Sequence, residues 1–284
     1  ALGHRARQVG DLVAAGEHFH QALALAERAG DQPTRAFAFN QLGSVLWACG
    51  DLESARRHWV EGLAVAEGAH DERSIGYGYN GLGMVAACRG VAADARRNFE
   101  QAATVFERIG LVGPLTLVRC NLVEVHVCTG NLRRGLELAE RTVTQAREVN
   151  QPGGIVLARS ALADALTHVG RSADGAAEAT VALELARQLD DPAHVLTALI
   201  PLIRASWAAE RTEVLSGLIE EALRLAEQVD HEGWLGVVRS WHARQLALAG
   251  EGAAARAQIV LALESNGPRW PYQEVRLDLA LARV

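Results

Sequence analysis

The chain has 284 residues, 49% of them hydrophobic and 22% charged, with a formal net charge of −6. All 28 basic residues are arginine, which excludes a Walker A lysine, a kinase lysine and a lysine Schiff base within this chain. No basic run, no apolar stretch long enough to span a bilayer and no signal peptide is present, so nucleic-acid binding and membrane insertion are not expected and a cytoplasmic location is.

The first predicted helix covers Leu12 to Ala26. Its apolar residues Leu12, Ala15, Phe19, Ala22, Leu23 and Ala26 follow the three-and-four spacing of one helical face. Gly10 precedes it, and Asp11 stands where a side chain can cap it. The same unit then returns along the chain. Gly50, Gly90, Gly130, Gly170 and Gly250 repeat the glycine at one constant interval, and Glu210 breaks the series. An interval of this size marks an array of repeated supersecondary units. Asp51 and Asn131 repeat the cap. Five positions beyond each point of this glycine ruler come small residues, Ala15, Ala55, Ala95, Gly135, Gly175 and Ala255, with Leu215 in the sixth repeat. Nine beyond come Phe19, Trp59, Phe99, Ala139, Ala179, Ile219 and Ile259. Seven before the glycine the residue is mostly small, as at Gly3, Gly43, Gly83, Ala163 and Ala243.

These spacings predict two helices per repeat, with the ruler glycine between them in a left-handed turn. Pro33, Pro114, Pro152 and Pro192 open the first helix of their repeats, where a missing N–H does no harm. Asp31, Asp71, Asn150, Asp190, Asp191 and Asp230 mark the joints between repeats. No stretch alternates with period two, so strands are not expected. In the sixth repeat Pro201 falls inside the first helix and predicts a kink there.

Gln41-Leu42-Gly43, Gly50-Asp51-Leu52, Ala55 and Trp59 in one repeat, and Gly81-Leu82-Gly83, Gly90, Ala95 and Phe99 in the next, resemble the tetratricopeptide repeat. The likeness covers nearly the whole chain, is densest in the second and third repeats, and differs from the family's commoner form by its longer period. HEAT and armadillo repeats have similar periods but lack this order of glycine, glycine, alanine and aromatic. The resemblance implies an all-α, right-handed superhelical solenoid of about seven antiparallel helix pairs. The repeats then run over residues 1–31, 32–71, 72–111, 112–151, 152–191, 192–231 and 232–267, with a partial repeat at 268–284. Neither end carries a polar capping helix, so the chain is expected to be a segment of a longer protein. Phe19 and Leu23 at one end, and Leu277, Leu279 and Leu281 at the other, are expected to expose apolar faces through which copies could pair.

The ten histidines and four cysteines form no metal-binding or C-x-x-C spacing, and no G-x-S-x-G elbow is present. Cys88 and Cys128 occupy equivalent places in adjacent repeats. No catalytic constellation and no cofactor motif stands out. The resemblance implies instead a groove lined by the second, fifth, ninth and twelfth residues of the first helices. On this chain those positions include Phe37 and Tyr77, Asn40 and Asn80, Ser44, Met84, Glu124, Asp164, Arg204 and Arg244, and Trp47. Asn40 and Asn80 could hydrogen-bond a peptide backbone, although the family commonly places asparagine one residue later, where this chain has Gln41, Gly81 and Asn121. Arg204 and Arg244 could grip a carboxylate, and Glu124 and Asp164 would repel one.

The expected function is a non-catalytic scaffold for a protein or peptide, serving as the sensory module of a larger regulator such as those of bacterial transcription. A small-molecule effector pocket inside the superhelix, and an accessory region of a multidomain enzyme, are the alternatives that the sequence leaves open.

Overall fold

The computed structural model describes residues 11–229 and 232–264, leaving aside the side chains of 232 and 233. These residues form thirteen α-helices and no strand. In order they are α1 (Leu12–Ala29), α2 (Gln32–Ala48), α3 (Leu52–Gly68), α4 (Glu72–Cys88), α5 (Ala92–Arg108), α6 (Val112–Cys128), α7 (Leu132–Glu148), α8 (Pro152–His168), α9 (Ser172–Gln188), α10 (Pro192–Ala208), α11 (Leu215–Gln228), α12 (Glu232–Leu248) and α13 (Gly252–Glu264). A short 3₁₀ turn, Thr212–Val214, precedes α11.

Helices α2 to α10 are each 17 residues long. A three-residue break follows each one, and its middle residue is left-handed. Gly30, Gly50, His70, Gly90, Gly110, Gly130, Asn150, Gly170, Asp190, Glu210 and Gly250 have φ between 48° and 85°. The left-handed turn therefore recurs at half the interval of the glycine ruler, between repeats as well as within them. Asparagine and aspartate tolerate it between repeats, where their short polar side chains relieve the clash. The backbone closes each break with paired bonds, such as Gly50 N to Trp47 O at 2.9 Å and Asp51 N to Leu46 O at 2.9 Å.

Asp31, Asp51 and Asp71 each accept a bond from the backbone N–H three residues on and so start α2, α3 and α4. Asn131 departs from the capping role expected of it. Its side chain caps no backbone N–H, and its amide donates instead to Thr129 Oγ1 at 2.9 Å. Pro201 lies inside α10, which runs as one helix from Pro192 to Ala208.

The described residues fall into two compact units, 11–111 and 112–264. In the first, α1 to α5 pack through the ruler-derived positions. Ala15, Ala55 and Ala95 are fully buried and let second helices approach first helices closely. The Trp59 ring lies against Gly43 and Gly81, where an added Cβ would run into it. Phe99 and Phe106 sit likewise on Gly83 and Gly76. Small residues on first helices thus accept aromatics from second helices. Phe19 is 4% exposed and joins Leu42 and Val45 in a core that Leu23 flanks, so α2 covers these two side chains, contrary to the exposure expected from the sequence. Leu277, Leu279 and Leu281 lie outside the described residues.

In the second unit, the largest core cluster centres on α10. Leu196, Leu199 and Ile203 there are fully buried and meet Leu183, Leu215, Ile219 and Trp241 from neighbouring helices. Almost every residue of α10 from Val195 to Ser206 is buried, as a helix with apolar residues on all sides requires.

Candidate functional site

On the first helices α2, α4, α6 and α8 one stripe stays open to solvent. In α2 it runs through Phe37, Gln41, Ser44 and Ala48, and in α4 through Arg73, Tyr77, Met84 and Cys88. In the second unit it runs through Leu117, Asn121, Glu124 and Cys128 on α6, and through Leu157, Ala161, Asp164 and His168 on α8. Counted from Ala36, Thr116 and Val156, these are the second, sixth, ninth and thirteenth residues; in α4, counted from Gly76, the sixth residue Gly81 is buried and Arg73 lies one turn before the count. The sequence-based register takes the fifth and twelfth instead, and one residue turns the helix by about 100°.

That rotation separates the expected site residues. Asn40 is 3% exposed and donates through Nδ2 to the Ser74 carbonyl at 3.0 Å, joining α2 to α4. Asn80 is also buried, and its Nδ2 donates to Met84 Sδ at 3.5 Å. Both amides lie in the seam and not on the open stripe. Trp47 packs against the cluster of Ala55, Trp59 and Val85. Its Nε1 and the Gln41 Oε1 are buried without a hydrogen-bond partner among the described residues.

Phe37, Ser44, Tyr77 and Met84 do lie on the stripe of the first unit. The Phe37 ring meets Phe19 edge-on at 6.3 Å, and the Tyr77 ring meets Phe106 at 5.2 Å. Both rings are thereby fixed while part of each stays in solvent. Ser44 Oγ donates to the Asn40 carbonyl at 3.0 Å, which leaves the hydroxyl oxygen able to accept. Arg73 stands over the Tyr77 ring at 5.9 Å and adds a positive charge to this stripe.

The second unit brings carboxylates to the stripe. Glu124 and Asp164 are half-buried there. Arg204, the equivalent residue of α10, is buried, and its Nη1 meets Asp164 Oδ1 at 2.5 Å. The pair links α8 to α10 directly. Arg244 is half-buried on α12 and lies over the Trp241 ring at 4.9 Å. A second buried arginine, Arg159, pairs with Glu178 of α9 and braces the helices of one repeat. Burial pushes the Glu178 carboxyl up, while Arg147 pulls it the other way.

The four cysteines are free thiols. Burial, aided by the Glu124 carboxylate, pushes the Cys120 thiol up to about 12, so it stays protonated and unreactive. Among the described residues no group of three or more His, Cys, Asp or Glu is placed to hold a metal ion. Among the same residues no helix is long and apolar enough to cross a membrane.

Comparison with known proteins agrees with this architecture. The family described as the MalT-like TPR region matches residues 2–266. No curated protein matches. A Rap protein complexed with Competence and Sporulation Factor is similar in structure, with a TM-score of 0.75 and 13% identity over 96% of this chain and 80% of that one. NprR in complex with its cognate peptide NprX gives a TM-score of 0.73 and 12% identity over 98% of this chain and 78% of that one. A STAND protein with a tetratricopeptide repeat sensor, from Pyrococcus horikoshii, gives 0.63 and 15% identity; it covers 99% of this chain, which spans only 43% of that protein. At these identities the likeness is one of fold.

Proposed function

The chain belongs to the MalT-like TPR family, and from that premise we propose that it is a non-catalytic ligand-sensing module whose ligand is a peptide or a protein segment held on the first-helix stripe. The observation that carries this reading is the stripe itself. Phe37, Tyr77 and Met84 keep partly exposed apolar surface on rigid helices, and fixed aromatic anchors of this kind bind at low entropic cost. Ser44 offers an acceptor beside them, and Gln41 is part-exposed on the same stripe. Such a surface fits an extended chain, which presents apolar side chains and backbone polar groups together. Of the structurally similar proteins, NprR was solved with its cognate peptide NprX and a Rap protein with Competence and Sporulation Factor, and a third carries a tetratricopeptide repeat sensor in a STAND ATPase.

Selection from a random heptapeptide pool tests the reading. We expect a set of peptides to be enriched, and expect Tyr77→Ala and Gln41→Ala to weaken their binding by about tenfold each, as loss of roughly 1.4 kcal/mol would. Arg57→Ala, on the exposed side of α3, serves as the control and should change nothing. Equal enrichment by all variants would contradict placement on the stripe, and no enrichment would contradict peptide binding.

A further inference from the structure

We propose that Arg204 forms the floor of a carboxylate-binding site, and that Asp164 occupies this site in the unliganded chain. The inference deepens the binding reading above and rests on it for the identity of the ligand. Among the described residues of the second unit, Arg159 and Arg204 are the buried arginines. Their carboxylate partners differ in kind. Glu178 comes from a second helix and ties the two helices of one repeat together. Asp164 comes from the stripe of the next first helix, the same open face on which a ligand would lie.

The exposures give the pair a direction. The Arg204 side chain is 8% exposed and the Asp164 side chain 29%. The cation is therefore held inside, and the anion sits between it and solvent. A guanidinium on so buried a side chain requires an anion, because leaving it uncompensated is strongly unfavourable. It does not require that the anion belong to this chain. An incoming carboxylate can take the place of Asp164, whose side chain already reaches solvent in part and would turn out into it. The exchange conserves charge inside the seam, since one carboxylate leaves as another enters.

The fork of an arginine matches a carboxylate in shape as well as charge. Arg244, the ninth residue of α12 counted as on the other first helices, places a second cation on the same stripe one repeat on. Glu124 lies on the opposite side, one repeat back. A ligand carboxylate would thus be drawn towards α10 and α12 and away from α6. The ligand class is a peptide or small molecule with an exposed carboxylate, either an acidic side chain or a free C-terminus.

Removal of Asp164 opens the proposed site, and formate can then fill it. In Asp164→Ala the unfolding temperature should fall, and sodium formate should restore it saturably by about 3–6 °C, relative to sodium chloride at the same ionic strength. Wild type should show no such difference. Neither should the double variant Asp164→Leu with Arg204→Met, in which apolar groups replace both charges and the fold is retained. If Asp164→Ala does not fold, Asp164→Asn takes its place in the same titration. Absence of a saturable formate effect, or its persistence in the double variant, overturns the proposal. Peptide selection by the first unit does not depend on this outcome, so failure here leaves the broader binding reading separately testable.

Discussion

Glu210 carries the conformation that glycine carries in every other within-repeat break of the described chain. Its φ is 58°, where a side chain crowds its own backbone, and its N–H still closes the turn on Trp207 O at 3.1 Å. It also places a negative charge at the C-terminal end of α10, where the helix dipole is unfavourable to it. Glu210→Gly should therefore stabilise the second unit by about 0.5–1 kcal/mol, net of the greater freedom that glycine has when unfolded. Thermal unfolding checks the sign; a loss of stability would mean that the Glu210 side chain makes a compensating interaction. The ruler glycines were legible because glycine is the cheapest left-handed residue. Asn150 and Asp190 were legible as joint residues, but their left-handed backbone and the matching turn at His70 were not, because several residue types tolerate that backbone and no single letter repeats.

At the scale of the helix, aspartate caps set where α2 and α3 begin. Hydrogen bonds from the Thr34 side chain and backbone hold the Asp31 carboxyl below the usual carboxylate range. The Ser54 backbone and side chain do the same for Asp51. A carboxyl whose pKa is depressed by folding contributes stability that is fully present above its unfolded value of about 3.9 and is lost as the pH falls through the folded value. The double variant Asp31→Asn with Asp51→Asn keeps the caps but removes their titration. The stability difference between wild type and this variant should be flat above about pH 5 and should change steadily from about pH 4 downwards in the direction of a weaker wild type. Denaturant melts across that range decide it, and a pH-independent difference would remove the caps from the account. Helix pairing was legible from the amphipathic spacing of Leu12 to Ala26 and its repeats. The register of the open stripe was not. Fifth and sixth residues are both polar in α2, as Asn40 and Gln41, and only packing against α4 shows that Asn40 turns into the seam. The pairing of Asp164 with Arg204 was equally hidden, since sequence shows equivalent positions in successive repeats but not that long and short side chains span the gap between them.

Across the described helices, folding is carried by the small residues and aromatics between helices, and we propose that the stripe left open on first helices is where a ligand lies. The first unit presents rings and neutral polar groups along that stripe, and the second presents carboxylates and arginines. Hydrogen exchange of the chain with and without a peptide selected from the pool tests this most directly. Slowed exchange should fall on segments of the first helices, 32–48 and 72–88 in the first unit or 112–128, 152–168 and 192–208 in the second, because a ligand there quiets the local openings of the helices that it touches. Slowed exchange confined to the second helices, such as 52–68 and 92–108, would place the ligand on the opposite face and contradict the account.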